Sequence, residues 1–532
     1  MVRPLLLNGF MATGKSTVGR LVAERLSAQF VDLDALIERV AGTSIASLFA
    51  ERGEAGFRAL EAEQLDDLLR ADGGYPLVVS LGGGSLLDRS RRVELLFRCV
   101  VVTLTASPDE IVRRALRQEG SGAARPLLSG GDPDERVRFL LEQRAAAYAE
   151  CHGRVATDGR TLEDIASDVV DIVRRDPVPV AAGLASYTVD IGSDLTERHL
   201  PRLLGRSSGT LLVTDENVGV LHGAAVRRAQ REQSGPSAEI VLEPGEEHKN
   251  LAGLERIFEV AYEHNLDRNA TFVGLGGGVV TDMTGFAAAT WVRGVRWVGL
   301  PTTLLSMVDA SVGGKTAVDF RTAKNAVGAF WQPSGVICDV RTLETETDRA
   351  FTGALSEVVK TALVGDPGLF TLLEERADAV ARRDPEVITQ LVERSVRVKA
   401  RVVSLDERES GLRATLNLGH TIGHALESSG GYSALTHGEA VSLGLVAALR
   451  LGEQLGETPA ALTARTLGLL ERLGLPKRLG RDELRDATRL IGHDKKRSGN
   501  AVRFVFAREL GDVTTRQLPL DDLMRWTPDL AG

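Results

Sequence analysis

The stretch Asn417-Leu-Gly-His-Thr-Ile-Gly-His424, followed by Thr436-His437-Gly438-Glu439, is the most informative part of this sequence. His420 and His424 lie four residues apart, so on a helix both imidazoles project from one face. A pair of glycines before His437 lets the chain turn back and bring in a third imidazole. A catalytic zinc ion uses three protein ligands and keeps one open position. Spacing alone therefore nominates His420, His424 and His437 as a metal site, with core or capping histidines as the alternative.

Length and composition limit the classes of protein that fit. A chain of 532 residues is too long for one hydrophobic core and predicts about three or four domains. The 43% apolar content is typical of a globular protein, and the net charge of −9 disfavours a nucleic-acid partner. No apolar run reaches the roughly 20 residues of a membrane helix. Cys99, Cys151 and Cys338 stand far apart without a C-x-x-C motif, which favours a cytoplasmic location.

A phosphate-binding loop lies near the start of the chain. A short apolar strand, Leu5-Leu-Leu, leads into Gly9-Phe-Met-Ala-Thr-Gly-Lys-Ser16, and an amphipathic helix follows. This is the G-x-x-x-x-G-K-[ST] motif between a strand and a helix, as it requires. The backbone N–H groups and the lysine bind phosphates, and the serine hydroxyl ligates Mg²⁺. We therefore expect ATP to bind at Gly9, Ala12, Thr13, Gly14, Lys15, Ser16 and Thr17.

Further polar features follow this loop in a fixed order. Val31-Asp-Leu-Asp34 ends a second strand, Arg58 precedes a helix, and a third strand runs into Gly82-Gly-Gly84. Arg125 lies in a Gly/Ser-rich segment at 120–131 that has the composition of a lid, and Arg144 follows on a helix. Each feature taken alone is also compatible with a helix cap, a solvated charge or a turn.

Together these features resemble shikimate kinase, a P-loop kinase of the nucleoside-monophosphate-kinase-like fold, over about residues 1–175. The resemblance implies that Asp32 helps to bind Mg²⁺ and that Arg125 closes over the transferring phosphate. It makes Lys15, Asp34 and Arg125 catalytic. It implies shikimate binding by Asp34, Arg58, Gly82, Gly83, Gly84 and Arg144. Ala12 and Thr13 depart from the family's usual residues but leave the Gly-Lys-Ser core untouched.

A second α/β pattern begins after a break in helical character. Pro177 and Pro179 predict a linker over residues 176–186, an α/β domain over 187–350 and a helical domain over 351–532. Gly274-Leu-Gly-Gly-Gly-Val-Val-Thr-Asp282 follows a strand and opens a helix, as a dinucleotide loop does, but contains no strict G-x-G-x-x-G. A dense group of basic and amide side chains comes next and indicates an anionic substrate, with an ordinary lysine-rich surface as the alternative.

This half, including Glu357-Val-Val-Lys360, resembles 3-dehydroquinate synthase over about residues 185–515. The resemblance implies an NAD-binding α/β domain, a helical metal domain, and a homodimer formed through this half. It changes the ligand set to Glu357, His420 and His437, binding Zn²⁺ or Co²⁺. It implies NAD contacts from Asp215, Asn217, Glu246, Lys249, Gly277, Gly278, Asp282, Thr302, Thr303, Lys315 and Lys324. It implies heptulosonate contacts from Arg293, Asp309, Lys315, Asn325, Lys360, Lys399, Arg413, Asn417, His424, Lys495 and Lys496, of which Lys315, Lys360 and His424 would be catalytic.

The two resemblances imply two reactions. ATP would phosphorylate shikimate to shikimate 3-phosphate, and NAD with a metal ion would support conversion of 3-deoxy-D-arabino-heptulosonate 7-phosphate to 3-dehydroquinate and phosphate. A glycerol-dehydrogenase-like oxidoreductase would not need the phosphate-binding group around Arg293, Lys315 and Lys360. Another sugar-phosphate cyclase is a further alternative. A kinase-like regulatory module is disfavoured because Lys15 and Ser16 are intact.

Overall fold

The computed structural model describes residues 3–70, 76–119, 132–205, 207–321, 323–429, 435–491, 497–498, 501–526 and 530–531. The chain divides into two units, Met1–Thr188 and Val189–Gly532. Predicted site residues Arg125, Lys495 and Lys496, and the segment 120–131, lie outside the described residues. None of the described helices is both long enough and apolar enough to cross a membrane.

The first unit is built on a parallel five-stranded sheet in the order β2-β3-β1-β4-β5. Its strands are β1 (Leu5–Asn8), β2 (Gln29–Asp32), β3 (Leu77–Ser80), β4 (Val100–Thr105) and β5 (Gly153–Ala156). Its helices are α1 (Lys15–Arg25), α2 (Leu33–Ala41), α3 (Ile45–Arg70), α4 (Arg89–Arg98), α5 (Pro108–Glu119), α6 (Pro133–Ala149) and α7 (Leu162–Arg175).

Alternation along β1 explains how the helices cover both faces of this sheet. Leu5 and Leu7 join one hydrophobic cluster, and Leu6 joins another, because successive strand residues point to opposite faces. All four residues of β1 are buried. Since β2 and β3 lie on one side of β1 and β4 and β5 on the other, the loop after β1 lies at the topological switch point where such sheets bind ligands.

Residues predicted to form the linker are held by the first unit. Val178–Val180 form a buried strand, β6. The carbonyl oxygen of Ala181 accepts a hydrogen bond from Arg89 Nη2 at 3.3 Å, and the N–H of Gly183 donates to Glu150 Oε1 at 3.0 Å. The segment is therefore fixed by both main-chain and side-chain contacts.

The second unit has a larger parallel sheet. Its strands from β7 onward run parallel in the order β7-β14-β11-β10-β8-β9. The strands are β7 (Tyr187–Gly192), β8 (Thr210–Asp215), β9 (Ser237–Leu242), β10 (Thr271–Gly276), β11 (Arg296–Pro301) and β14 (Gly335–Asp339), and a separate antiparallel hairpin comprises β12 (Lys315–Phe320) and β13 (Ala323–Phe330). The helices are α8 (Thr196–Leu204), α9 (Glu216–Arg231), α10 (Leu251–Glu263) and α11 (Gly278–Thr290).

Helices dominate the rest of the chain. They are α12 (Asp348–Gly365), α13 (Pro367–Ala381), α14 (Pro385–Leu405), α15 (His420–Ser429), α16 (His437–Gln454), α17 (Ala460–Arg472), α18 (Arg481–Ile491) and α19 (Leu520–Trp526). An antiparallel sheet of β15 (Arg497–Ser498), β16 (Ala501–Glu509) and β17 (Asp512–Pro519) is added near the end. The helical pattern inferred from the sequence did not include this sheet.

Glycines allow three of these helices to approach each other closely. A Cβ on Gly444 of α16 would lie 2.0 Å from the carbonyl oxygen of Gly419, just before α15. A Cβ on Gly438 would lie 2.2 Å from the carbonyl oxygen of Gly353 on α12. These contacts bring together the ends of α15 and α16 and the middle of α12, where the predicted metal ligands are located.

Candidate active sites

The loop between β1 and α1 turns tightly over the end of the first sheet. Gly9 has a φ of 133° and Gly14 a φ of 92°, and a Cβ on Gly9 would lie 2.3 Å from the carbonyl oxygen of Leu104. Ala12, one of the two departures from the family's usual residues, also has a positive φ of 60°. An L-residue adopts this conformation at a cost of about 1 kcal/mol. The loop therefore keeps its path despite the substitution.

Charged and hydroxyl groups line the inside of this loop. Lys15 Nζ donates to the carbonyl oxygens of Gly9 and Phe10, both at 2.9 Å. Ser16 Oγ donates to Asp32 Oδ2 at 2.5 Å. An ammonium, a helix N-terminus and a hydroxyl beside a carboxylate are the groups that bind a nucleoside triphosphate and its magnesium ion.

A cavity of about 390 Å³ opens next to the loop. Its lining contains the predicted acceptor-site residues Asp34, Arg58, Gly82, Gly83, Gly84 and Arg144. Arg144 Nη1 donates to the carbonyl oxygen of Gly83 at 3.1 Å. Arg58 Nη1 donates to Glu61 Oε2 at 2.8 Å. The structure therefore brings the acceptor-site residues and the phosphate loop to one cavity.

Glu61 is a buried carboxylate of this cavity that the sequence analysis missed. It is 2% exposed and accepts hydrogen bonds from Arg58 and from Ser85 Oγ. Its only signal in the sequence is its position three residues after Arg58 on a helix. A Cβ on Gly82 would lie 2.6 Å from Glu61 Oε1, and one on Gly84 would lie 2.2 Å from Arg58 Nη2. The triple glycine therefore leaves space for the side chains of Glu61 and Arg58.

Asp34 lies in the first turn of α2 and has an altered acidity. Burial, together with the negative charges of Glu61 and Asp32, raises the pKa of Asp34 to about 6. Lys15 and Arg58 act in the opposite direction. A carboxylate with this pKa can take up a proton close to neutral pH, as a general base does.

In the second unit, the side chains of Glu357, His420 and His437 come together where α12, α15 and α16 contact each other. Glu357 Oε1 lies 3.3 Å from His420 Nε2 and 3.6 Å from His437 Nε2. Two ligands of one tetrahedral zinc ion, with bonds of about 2.0–2.1 Å, are about 3.3 Å apart. The cluster therefore has the dimensions of a metal site.

The hydrogen bonds around this cluster also suit a metal ion. Glu357 is 1% exposed, and its Oε1 accepts no hydrogen bond within the described part of the chain. The carbonyl oxygen of Leu418 lies 3.3 Å from His420 Nδ1, which favours a proton on Nδ1 and a lone pair on Nε2. A buried carboxylate oxygen without a donor, facing two imidazole nitrogens, fits a bound cation.

Neighbouring charges act on the same carboxylate. Burial alone would raise the pKa of Glu357, but Lys360 and His437 outweigh it and lower the pKa to about 2. Lys360 is 3% exposed and forms an ion pair with Glu357 Oε2. The carboxylate is therefore ionised, as a metal ligand must be.

A second cluster shares His437. His424, Glu427 and His437 also have potential ligand atoms within 4.8 Å of each other. Glu427 Oε2 lies 3.4 Å from His437 Nδ1, and Glu427 Oε1 accepts from Lys324 Nζ at 2.7 Å. Glu427 was not predicted from the sequence, because no motif singles it out. With Oε1 paired to an ammonium, Glu427 is better suited to orienting His437 than to binding an ion.

Predicted dinucleotide-binding residues lie at the carboxyl ends of three neighbouring strands. The register aligns Leu275 of β10 with Thr214 of β8, and Gly276 with Pro301 of β11. Asp215 is the last residue of β8, and the residues that follow the three strand ends are Asn217, Gly277, Gly278, Thr302 and Thr303. Thr302 N–H donates to the carbonyl oxygen of Gly276 at 3.0 Å, and Thr302 Oγ1 is buried with no partner in the described chain. This edge fits a dinucleotide.

A buried lysine joins three other predicted residues. Lys249 Nζ donates to Asp282 Oδ2 at 2.7 Å and to Asn325 Oδ1 at 2.6 Å, and lies 3.9 Å from Glu246 Oε1. Burial alone would lower the pKa of Lys249, but Asp282 and Glu246 raise it. Burial raises the pKa of Asp282 to about 6. The ammonium therefore connects α11 to the β12–β13 hairpin.

The predicted substrate residues form two polar groups. Lys399 Nζ pairs with Asp309 Oδ1, and Asp309 lies in a π-helical turn, Ser306–Ala310. Lys315 Nζ pairs with Glu409, which also accepts from Asn417 Nδ2 at 2.9 Å. Glu409 was not among the site residues predicted from the sequence, and its φ of 58° marks a tight turn.

Two arginines predicted to contact the heptulosonate differ in their surroundings. Arg413 is 4% exposed and donates to the carbonyl oxygen of Glu407 at 2.6 Å. Arg293 is exposed, in a turn where Val292 and Arg293 both have positive φ. No hydrogen bond or ion pair connects Arg293 to the other predicted residues in the described chain.

These arrangements define two classes of enzyme site: a P-loop phosphotransferase site, and a metal site beside a dinucleotide-type sheet edge. Residues 11–174 match the family model of shikimate kinase. Residues 239–353 match the N-terminal model of 3-dehydroquinate synthase, and residues 354–497 match its C-terminal model.

Similar proteins agree with these matches. The 3-dehydroquinate synthase of Nitrosococcus oceani is 43% identical over 351 residues, which cover 65% of this chain and 96% of that protein. The structure of ValA, a 2-epi-5-epi-valiolone synthase from Streptomyces hygroscopicus with NAD⁺ and Zn²⁺ bound, is 27% identical and covers 65% of this chain and 96% of that chain, with a TM-score of 0.58. A 2-deoxy-scyllo-inosose synthase, 21% identical, covers 66% of this chain and 99% of that chain, with a TM-score of 0.59, and shows the fold.

The chain belongs to the 3-dehydroquinate synthase family and carries a shikimate kinase module before the synthase. It is a bifunctional enzyme of the shikimate pathway, with phosphotransferase and lyase activities.

Proposed function

We propose that each activity uses the residues that converge at its own site. The first unit transfers a phosphoryl group from ATP to shikimate at the cavity beside Lys15. The second unit converts 3-deoxy-D-arabino-heptulosonate 7-phosphate to 3-dehydroquinate and phosphate at Glu357, His420 and His437. The observation that carries the synthase proposal is that Glu357 Oε1 accepts no hydrogen bond from the described residues and faces two imidazole nitrogens.

In the kinase, the loop binds the nucleotide and the cavity binds the acceptor. Lys15 releases its two carbonyl contacts to bind the β- and γ-phosphates, while Ser16 and Asp32 bind Mg²⁺. Asp34 accepts the proton of the attacking hydroxyl. Arg58 and Arg144 bind the acceptor's carboxylate, which a guanidinium can meet with two parallel hydrogen bonds. Arg125 neutralises the transferring phosphate.

In the synthase, Glu357, His420 and His437 hold Zn²⁺ or Co²⁺, and the sheet edge holds NAD. When bound, NAD supplies a reversible hydride acceptor and the metal ion polarises the hydroxyl that is oxidised. The NAD contacts are Asp215, Asn217, Glu246, Lys249, Gly277, Gly278, Asp282, Thr302, Thr303, Lys315 and Lys324. Asp215 supports this role, since Oδ1 takes both cap hydrogen bonds and Oδ2 accepts none from the described residues.

The heptulosonate lies among the remaining polar groups. Basic and amide side chains bind its carboxylate and hydroxyls: Lys315, Asn325, Lys360, Lys399, Arg413, Asn417, Lys495 and Lys496. Arg293 binds the phosphate. Asp309 holds Lys399 in place through their ion pair. His424, whose ring centroid lies 5.0 Å from that of His420, moves protons on the substrate side of the metal.

We further propose that the enzyme is a cytoplasmic homodimer formed through the second unit. All three cysteines are free and buried, which suits a reducing compartment. The homodimer rests on the resemblance to the synthase family. Light scattering coupled to size-exclusion chromatography tests it, because a monomer mass of 57.0 kDa in solution would contradict it.

Two variants of the full chain test the two-site assignment. Lys15→Ala should lower ATP-dependent phosphorylation of shikimate by about 100-fold or more, the loss typical of removing one charge-stabilising donor, and leave phosphate release from the heptulosonate unchanged. His437→Ala should have the opposite effect. The assays are ADP formation with shikimate and phosphate release with heptulosonate, NAD⁺ and Zn²⁺. The proposal is wrong if either variant, folded by circular dichroism, loses both activities.

A further inference from the structure

Glu346 is a half-buried carboxylate that none of the predicted functions uses. It follows the 3-10 helix Val340–Thr345 and precedes α12 by two residues. Its Oε2 accepts a hydrogen bond at 3.0 Å from the backbone N–H of Leu304, which is 42 residues earlier in the chain. Glu346 therefore connects the residues just before α12, the helix that bears Glu357, to the residues just after β11.

Leu304 begins a short helical segment with a functional residue at each end. Thr303 immediately precedes it, and the segment continues into the π-helical turn Ser306–Ala310, which contains Asp309. The first N–H groups of a helix have no acceptor within the helix. Thr303 Oγ1 accepts from Ser306 N–H at 3.3 Å, and the carbonyl oxygen of Thr303 accepts from Met307 N–H at 3.0 Å. The N–H of Leu304 relies on Glu346.

We infer that Glu346 is a positioning residue of the synthase, which holds the Thr303–Asp309 segment in the conformation that binds the dinucleotide. This inference rests on the proposed NAD site. A segment already held in its bound conformation loses less entropy on binding, so loss of the anchor weakens binding without removing any direct contact. A carboxylate at a helix N-terminus is also favoured by the helix dipole.

The charges around Glu346 make its effect depend on pH. Burial raises the pKa of Glu346 to about 7, and the Leu304 N–H and Arg383 oppose this shift. Arg383 donates to the carbonyl oxygen of Glu346 at 2.7 Å and pairs with Asp348 at 2.8 Å. On α9, His222 Nε2 lies 2.7 Å from Thr345 Oγ1. The ionised carboxylate is the stronger acceptor, so the segment is held more firmly above pH 7 than below it.

Substitutions at Glu346 separate the effect of its hydrogen-bond acceptor from the effect of its negative charge. Glu346→Leu removes the acceptor, and Glu346→Gln keeps a neutral acceptor of the same length. We expect the leucine variant to weaken NAD⁺ binding about fivefold, the factor that corresponds to losing a helix cap. The glutamine variant should match the wild type at pH 6 and lack the tightening that the wild type shows at pH 8. Isothermal titration of the zinc-loaded full-length chain with NAD⁺ measures both, and KM for NAD⁺ should rise more than kcat falls.

Controls within the same chain keep the outcome decisive. Glu344→Leu, two residues away at an exposed position, should bind NAD⁺ like the wild type. Shikimate phosphorylation should be unchanged in every variant. If the leucine variant unfolds the synthase, Glu346→Asp, which keeps the charge but shortens the reach, should show the fivefold loss. NAD⁺ binding by the leucine or aspartate variant equal to the wild type overturns the inference and leaves the proposed function standing. Failure of the wild type to bind NAD⁺ overturns both.

Discussion

At the scale of single residues, the kinase cavity places three carboxylates close together. Asp34, Asp32 and Glu61 lie near one another, and their mutual repulsion adds to burial in raising the pKa of Asp34. If Asp34 accepts the proton of the acceptor hydroxyl, it must be ionised to act. Phosphorylation should therefore be fully active well above pH 6, fall to about half at a pH of about 6, and decline further in more acidic solution.

Removing the charge of Glu61 should shift the acid limb, which is the part of the pH profile where phosphorylation declines as the pH falls. Glu61→Gln keeps one oxygen that can accept from Arg58, and its new amide N–H can donate to Ser85 Oγ, whose own hydrogen can go to the carbonyl oxygen of Gly82. The substitution removes the negative charge that raises the pKa of Asp34. We expect the decline in kcat/KM for shikimate to move to lower pH, because Asp34 then stays ionised in more acidic solution. The measurement is kcat/KM for shikimate between pH 4.5 and 8.

The control for this change is Glu63→Gln, an exposed position on the same helix. It should leave the acid limb where it is in the wild type. An unmoved acid limb in Glu61→Gln would show that Asp34 is not the group whose ionisation limits the reaction at low pH.

The sequence identified the residues that belong to motifs, and it missed residues that matter through proximity. Lys15 and Ser16 follow from a loop whose spacing is local. The choice between Glu357 and His424 as a metal ligand could not be made from spacing, because Glu357 lies more than sixty residues before His420 and only the crossing of three helices brings them together. Glu61 and Glu427 show no pattern of their own, since a buried carboxylate is recognisable only from its partners.

At the scale of elements, close helix crossings fix the spacing of the three residues proposed to bind the metal ion. Gly444 on α16 faces the carbonyl oxygen of Gly419, next to His420. Gly444→Ala should force α15 and α16 apart and cost about 1–3 kcal/mol of stability or more, because a methyl group has no room there. We expect a lower melting temperature for the synthase and weaker zinc binding, measured by competition with a chelator.

Gly468 provides a matched control for this prediction. It lies within α17, and a Cβ there would meet nothing within 4 Å. Gly468→Ala should leave zinc binding unchanged and stabilise the helix by up to about 1 kcal/mol. Equal effects of the two substitutions would contradict the argument from close crossing.

Local patterns predicted the strands that lead into glycine-rich loops but not the final sheet. The strands expected at Leu5-Leu-Leu, before Asp34, before Gly82 and before the loop that begins at Gly274 are present as β1, β2, β3 and β10. The β16 strand contains the short apolar run Phe504-Val-Phe-Ala507, in which all four residues are buried, as is typical of a strand covered on both faces. This strand was not predicted, because it follows a long stretch of the sequence with a helical pattern. The π-helical turn at Asp309 has no local signature, because tertiary contacts decide it.

At the scale of the whole molecule, the division into two units predicts two independent responses to ligands. If the proposed sites are right, zinc with NAD⁺ should bind only the second unit, and shikimate with ADP only the first. A ligand at 100 times its Kd stabilises the folded state by about 2.7 kcal/mol, which raises the melting temperature by about 5–10 °C for the first unit and by about 4 °C for the larger second unit. Differential scanning calorimetry should show each ligand pair shifting a different transition. A shared shift of both transitions by one pair would contradict independent units.

The two carboxylate oxygens of Asp32 accept different hydrogen bonds. Oδ2 takes the hydroxyl hydrogen of Ser16, while Oδ1 accepts from the N–H of Ala35 at the start of α2, the helix that bears Asp34. If Asp32 binds the magnesium ion of the nucleotide as proposed, its Oδ2 leaves Ser16, and the carboxylate turns at the N-terminus of the helix that bears Asp34, the proposed base. Binding of the nucleotide should therefore change binding of the acceptor. The affinity for shikimate should differ between the empty and the ADP-loaded enzyme.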